Sequence, residues 1–155
     1  MAGAIKENVL GKGISARRVS RILAIQGVYS YLHAEEKNSE IIEYLSEQDL
    51  YTHADLIFFE DIFNNTLKNI LALRKLMMPF LDISIDRLSK VEEAVILVAT
   101  YELTERIDVP FKTIINEAVE VDKCLGSNEG HKIVNGVLDK LAKKITEQLG
   151  LVWFS

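Results

Sequence analysis

The sequence predicts an all-α protein of about seven helices, forming one domain or two small sub-bundles that share a core. Three observations carry this reading. Apolar residues recur at helical spacing through most segments, the pattern of helices with one buried side. Only two prolines and eight glycines interrupt 155 residues, too few for a loop-rich or all-β design. No segment reads clearly as a strand.

Taken in order, residues 1–14 read as a weakly basic flexible arm broken by Gly11 and Gly13. Ser15 is placed to cap a first helix that keeps its period to about Leu32. Ser39 is a capping residue for a short helix over EIIEYLSEQ. Thr52-x-x-Asp55 is a capping-box pattern ahead of LIFFEDIFNNTLKNILALRKLMM, one long apolar-periodic stretch that ends near Pro79. ISIDRL is short and open to either reading. Ser89-x-x-Glu92 is a second capping box, opening VEEAVILVATYELTER. Its middle, Ala94 to Ala99, is apolar nearly all round and predicts a helix at the centre of the fold. Pro110 suits the first turn of the next helix, where Phe111, Ile114, Ile115, Ala118 and Val121 keep the period. Gly126 supplies its stop, and SNEG is a tight connection. Ile133, Val134, Val137, Leu138 and Leu141 define a last amphipathic helix. Gly136 inside it costs about 1 kcal/mol but would let another helix approach closely. A tail over 149–155 carries Trp153 and Phe154.

Composition excludes several classes. Apolar residues make up 48% of the chain, so it is not intrinsically disordered. Cys124 is the single cysteine, which allows no internal disulfide and no cysteine-based zinc site; it reads as a small apolar filler near a helix end. The N-terminal MAGAIKENVLGKGIS lacks a signal core, and no apolar run is long enough to span a bilayer, so a cytoplasmic location is expected. His33, His53 and His131 lie far apart without ligand spacing. Phosphate-binding glycine loops and nucleophile elbows are missing from the sequence, which speaks against an enzyme.

Charge is divided unevenly. The net charge is −5, yet residues 1–33 hold Lys6, Lys12, Arg17, Arg18 and Arg21 against Glu7 alone. Half of the six arginines fall between positions 17 and 21. At about 100° per residue they gather opposite Val19, Ile22, Leu23 and Gln26, so the helical wheel predicts three solvent-facing guanidiniums, with Tyr29 at the margin. No acid lies within reach on the same helix to neutralise them. Guanidinium forks suit phosphate, and a tyrosine can stack on an unpaired base, so the segment is a candidate for binding single-stranded nucleic acid. The acidic remainder suggests a second surface for a basic partner.

SARRVSRILAIQGVYSY resembles the N-terminal helix of the NusB family. The stretch VEEAVILVATYELTERIDVPFKTIINEAVEVDKCLGSNEGHKIVNGVLDKLAKKI resembles that family more closely, through V-E-x-A-V, A-x-Y-E-L, D-V-P-x-x-x-x-I-N-E-A-V-E, H-K and V-N-G-V-L-D-K in order. The likeness covers about residues 15–145 and is weak over 33–80. It implies two small packed helical bundles, about 15–80 and 81–148. It also implies a transcription antitermination factor that binds the boxA element of ribosomal RNA leaders as a heterodimer with NusE, a small-subunit ribosomal protein. The complex joins an RNA polymerase elongation assembly through other Nus factors and aids ribosome maturation. No catalysis and no cofactor are implied; a homodimer that covers the RNA surface is a state some members adopt.

Carried over to this chain, the resemblance assigns RNA contacts to Arg17, Arg18, Arg21, Gln26 and Tyr29, and a second part of the RNA surface to Glu129, His131, Lys132 and Ile133. Gln26 faces the core on the helical wheel, so packing is an equal reading for it. Asp86 and Glu92 are the expected partner-facing acids, although Glu92 also fits a capping-box role that would compete. Two positions depart from the pattern. Many members carry another arginine where this chain has Val19, and phenylalanine where it has Ile133. Losing a stacking platform costs about 1–3 kcal/mol per base, so useful RNA affinity is expected to depend on the protein partner. The competing expectations are a helical interaction scaffold without RNA function and an RNA-targeting domain of the kind joined to ribosomal RNA methyltransferases.

Overall fold

Ser15 starts the first helix: it is extended, and its hydroxyl accepts the Arg18 N–H at 3.0 Å. The computed structural model describes residues 14–150, and within them seven α-helices follow one another. These are α1 (Ala16–Ala34), α2 (Asn38–Ser46), α3 (Leu56–Lys68), α4 (Ile70–Met77), α5 (Lys90–Glu105), α6 (Phe111–Leu125) and α7 (Gly130–Gln148). Short 3-10 turns at Asp49–His53, Met78–Phe80 and Ile85–Arg87 fill three of the connections. The expected all-α class and helix number hold among these residues. The arm before Ile14 and the tail with Trp153 and Phe154 lie outside them.

Several boundaries differ from expectation for local reasons. The stretch read as one long helix is two, because Asn69 leaves helical geometry at φ −111°, ψ 21°. Its amide donates to the Asn65 carbonyl at 2.8 Å, and Asn65 donates to the Asp61 carbonyl at 2.9 Å, so asparagines compete for main-chain acceptors. Thr52 caps nothing; its hydroxyl donates back to the Asp49 carbonyl, and Asp55 alone caps α3 through the Phe58 N–H at 3.1 Å. The short α2 begins one residue before Ser39, behind Lys37 and without a side-chain cap. Pro110 precedes α6 rather than opening it.

α5 occupies the centre. Every residue from Glu92 to Leu103 is buried, as its apolar middle predicts. α1 packs against both α3 and α5, while α6 packs on α5 and α7, so α5 is the element shared by both ends of the chain. Phe58, Phe59, Phe63, Ile22, Leu23, Ile96 and Leu97 are among the largest fully enclosed side chains. Gly27 permits the tight α1–α3 crossing: a Cβ there would stand 2.5 Å from Phe63 Cε1. Gly136 behaves otherwise. Nothing lies within 4 Å of a Cβ built on it, so no described helix uses the close approach expected there.

Candidate nucleic-acid interface

Position in the sequence puts three arginines on the first turns of α1; tertiary packing gives each a different neighbourhood. Arg21 is 4% exposed. It forms a fork on Glu102 of α5, with Nε donating at 2.9 Å and Nη2 at 2.8 Å. Arg18 makes the same kind of fork on Glu117 of α6, at 3.0 and 2.6 Å. Arg17 has no such partner among the described residues, whose nearest carboxylate oxygen, on Asp108, is 3.8 Å away. That oxygen already accepts from Arg106 Nη2 at 3.0 Å, and Arg106 Nη1 donates to Asp61 at 3.2 Å.

The expectation of three solvent-facing arginines is therefore corrected. The helical wheel treats α1 as a surface helix with one buried side, but α3 and α5 flank it, and every residue from Val19 to Val28 is buried. Side-chain exposure falls from 42% at Arg17 to 33% at Arg18 and 5% at Arg21. With its Nε and Nη2 committed to Glu102, Arg21 ties α1 to α5. Val19 is 3% exposed and belongs to the core.

The electrostatics follow from the pairing. Four guanidiniums (Arg17, Arg18, Arg21, Arg106) face four carboxylates (Asp61, Glu102, Asp108, Glu117), so the cluster is close to neutral. The hydrogen bonds from Arg18 hold the Glu117 carboxyl below its usual range, and the same bonds raise Arg18. Burial, aided by a 2.7 Å hydrogen bond donated to Asp61, pushes the Tyr101 hydroxyl up to about 12. A cavity of about 550 Å³ opens beside the cluster, lined by Ser15, Arg17, Arg18, Arg21, Thr113 and Glu117 among others.

The residues around the start of α7 form a separate group. Glu129 and Lys132 are exposed and paired at 2.6 Å, which holds the Glu129 carboxyl low. Ile133 is 36% exposed, and with Lys132 it lines a groove of about 70 Å³ against Phe80, Ile83 and Lys140. His131 is half-buried, with Nδ1 lacking a hydrogen-bond partner among the described residues. Glu117 and the Gly126 end of α6 are separated by roughly 14 Å of helix, at 1.5 Å per residue, so the two groups flank one helix without touching through it. On α1, Gln26 is 8% exposed, with no hydrogen-bond partner for Oε1 among the described residues, in keeping with a packing role. Tyr29 is half-buried and stacks on His33, with centroids 5.8 Å apart. Cys124 is half-buried against the core.

Of the two acids expected to face a partner, Asp86 is exposed and Glu92 is not. Glu92 is 2% exposed, its Oε1 accepting from Ser89 Oγ at 2.7 Å and from Ser127 Oγ at 3.2 Å. Ser89 caps α5 by accepting the Glu92 N–H at 3.1 Å, but the Glu92 carboxylate takes the Ser89 hydroxyl and not the amide that a capping box uses. Beside it lies Asp122, fully buried, whose carboxyl is pushed up to about 9 by burial and by the adjacent Glu92. Gly126 and Gly130 roof this acid pair, since a Cβ on either would run into Glu92. No group among the described residues gathers three metal-ligating side chains.

Sequence reasoning missed the acids and the ring that organise the arginines. Glu102 and Glu117 lie 81 and 99 positions from their partners, beyond any local pairing rule. The available signal was Glu102 itself, a charge within a helix otherwise marked for burial. Phe58, 2% exposed on α3, has the Arg17, Arg21 and Arg106 guanidinium carbons at 4.5, 4.9 and 5.0 Å from its ring centroid.

Fold and site define a class: an all-helical protein with an arginine-lined cleft on its first helix. The chain belongs to the NusB family, whose family model matches residues 18–143. It is 40% identical over 138 residues to the transcription antitermination protein NusB of Pasteurella multocida, covering 88% of this chain and 95% of that one. It is 47% identical over 131 residues to the protein of the same name from Burkholderia mallei, covering 84% and 90%. Among solved structures, T. maritima NusB superposes with a TM-score of 0.72 at 30% identity, covering 87% of this chain and 97% of that one. A complex of antitermination factors NusB and NusE with double-stranded RNA shares the fold, with a TM-score of 0.70 at 20% identity and coverage of 83% and 97%. These relatives are named for antitermination, a non-enzymatic role. No described helix is long and apolar enough to cross a membrane.

Proposed function

We propose that this protein is an RNA-binding transcription antitermination factor that recognises the boxA element of ribosomal RNA leader transcripts together with a NusE-type ribosomal protein, within an RNA polymerase elongation complex. Family membership supports this reading, and so do the partners in the solved NusB–NusE–RNA complex. The observation that carries it is Arg17, half exposed in the lining of the α1 cavity, with no carboxylate of the described residues within hydrogen-bond distance. Arg18 flanks it with a partly exposed guanidinium whose Nε and Nη2 are held by Glu117. Lys132 and Ile133 extend the surface at the far end of α6, and exposed Asp86 is the acid offered to the basic partner.

The near-neutral cluster limits the field that a phosphate chain would meet, so affinity without the partner is low. The buried Arg21 is excluded from the test, because its loss would disturb the core. The experiment is fluorescence anisotropy of a labelled boxA-type RNA with the protein alone and with NusE, at two salt concentrations, against a scrambled RNA. Tight, salt-sensitive binding to boxA only with NusE supports the reading. Arg17→Glu should then abolish most RNA binding and lower the salt slope while leaving NusE binding intact. No preference for boxA with NusE present would favour a helical interaction scaffold, a role to which the internally neutralised arginines are also suited.

A further inference from the structure

Three guanidiniums converge on one phenylalanine, and they are not equivalent. Arg21 is anchored by Glu102 and Arg106 by Asp61 and Asp108, each through hydrogen bonds of 3.2 Å or less. Arg17 is the closest of the three to the Phe58 centroid, at 4.5 Å, and among the described residues its only nearby acid oxygen stands 3.8 Å off and is shared with Arg106. An arginine fixed by a carboxylate fork commits two N–H donors to it. An arginine fixed over an aromatic face is attracted by the ring quadrupole and keeps its donors. Phe58 is itself enclosed: it is 2% exposed, and its N–H donates to the Asp55 cap at 3.1 Å.

We infer that Phe58 is the positioning residue for a phosphate site at Arg17, its ring ordering the guanidinium while leaving the donors free for an RNA phosphate. The inference rests on the RNA-binding reading above and deepens it. Its physical content is preorganisation. A long side chain already confined near its bound geometry loses less freedom when the anion arrives. The neighbouring charges contribute to the selection of Arg17. Arg106 draws on the Asp108 carboxylate, and Arg21 is committed to Glu102, so Arg17 is left as the guanidinium with a ring and no fork.

A double-mutant cycle tests this with the protein–NusE complex and labelled single-stranded boxA-type RNA. Phe58→Leu should weaken RNA binding about three- to tenfold, the range expected for losing one cation–π contact. Arg17→Gln should weaken it at least as much. In the Arg17→Gln background, Phe58→Leu should have no further effect, and Phe58→Tyr, which keeps the ring, should bind nearly as the parent does. Equal losses from Phe58→Leu in both backgrounds would overturn the inference while leaving RNA binding through Arg17 standing. If Arg17→Gln changes nothing, the RNA reading at this cleft fails and the inference falls with it. Should Phe58→Leu not fold, the Arg17 Nε–Hε resonance of the free parent protein decides. A ring-shifted, ordered signal that moves when RNA is added supports the inference, and a signal averaged to free-arginine values overturns it.

Discussion

Arg21 and Glu102 are enclosed to 4% and 1% exposure, and each satisfies the other through two hydrogen bonds. Removing either member strands a charge in the core. Arg21→Ala is expected to cost about 3–5 kcal/mol of stability, read from urea unfolding midpoints. Arg17→Ala, at a partly exposed site without a fork, should cost less, about 0.5–1 kcal/mol for its contact with the Phe58 ring, in the same assay. Asp122 presents the reverse problem, a carboxyl buried beside another carboxyl. Its folded pKa of about 9 lies above the ordinary value of 3.8, so folding takes up a proton across that interval. The stability it contributes is full below about pH 4 and is lost as the pH rises toward 9. Asp122→Asn keeps the shape and cannot ionise. Its unfolding free energy should vary less with pH and exceed the parent's by about 1–3 kcal/mol at pH 8, judged by denaturation across a pH series.

At the scale of elements, α7 holds two glycines with opposite meanings. Gly130 abuts the Glu92 side chain, with Cγ 2.8 Å from the position a Cβ would take. Gly130→Ala should loosen the α5–α7 junction and lower the melting temperature. Gly136 faces open space, where its backbone freedom only weakens the helix. Gly136→Ala is expected to stabilise the protein by about 0.5–1 kcal/mol in thermal unfolding. If the same variant weakens RNA or NusE binding, the small side chain serves a surface that comes close only in the complex. The division between α3 and α4 at Asn69 shows how little sequence a boundary requires. Hydrophobic periodicity runs on through the break, and the asparagine hydrogen bonds that open it cost the apolar pattern nothing.

For the whole molecule, charge pairing across α1, α3, α5 and α6 converts a basic segment into a nearly neutral cluster. Binding is then governed by the small imbalance that remains at the surface. Asp108, 53% exposed and shared between Arg17 and Arg106, is the acid most easily displaced by a phosphate. Asp108→Asn should tighten RNA binding by roughly two- to fivefold at low salt, with the gain shrinking as salt rises, and should alter stability little because the pair is exposed. Anisotropy titrations at two ionic strengths check both parts.

The sequence by itself determined the helical class, the starts of α1 and α5 and the central place of α5. Capping hydroxyls at Ser15 and Ser89 and apolar spacing act over a few residues, so they can be read along the chain. It also placed Arg17, Arg18 and Arg21 together and singled out the α7 start. Only the tertiary structure decided which arginine remains available. Burial of Arg21, the fork between Arg18 and Glu117, the ring of Phe58 under Arg17 and the inward turn of Glu92 all depend on partners 35 or more positions away or on helices packed from several sides. A helical wheel records the direction in which a side chain leaves its own helix. Whether that direction meets water, a carboxylate or a ring is fixed by the other helices, whose placement follows from packing the whole core.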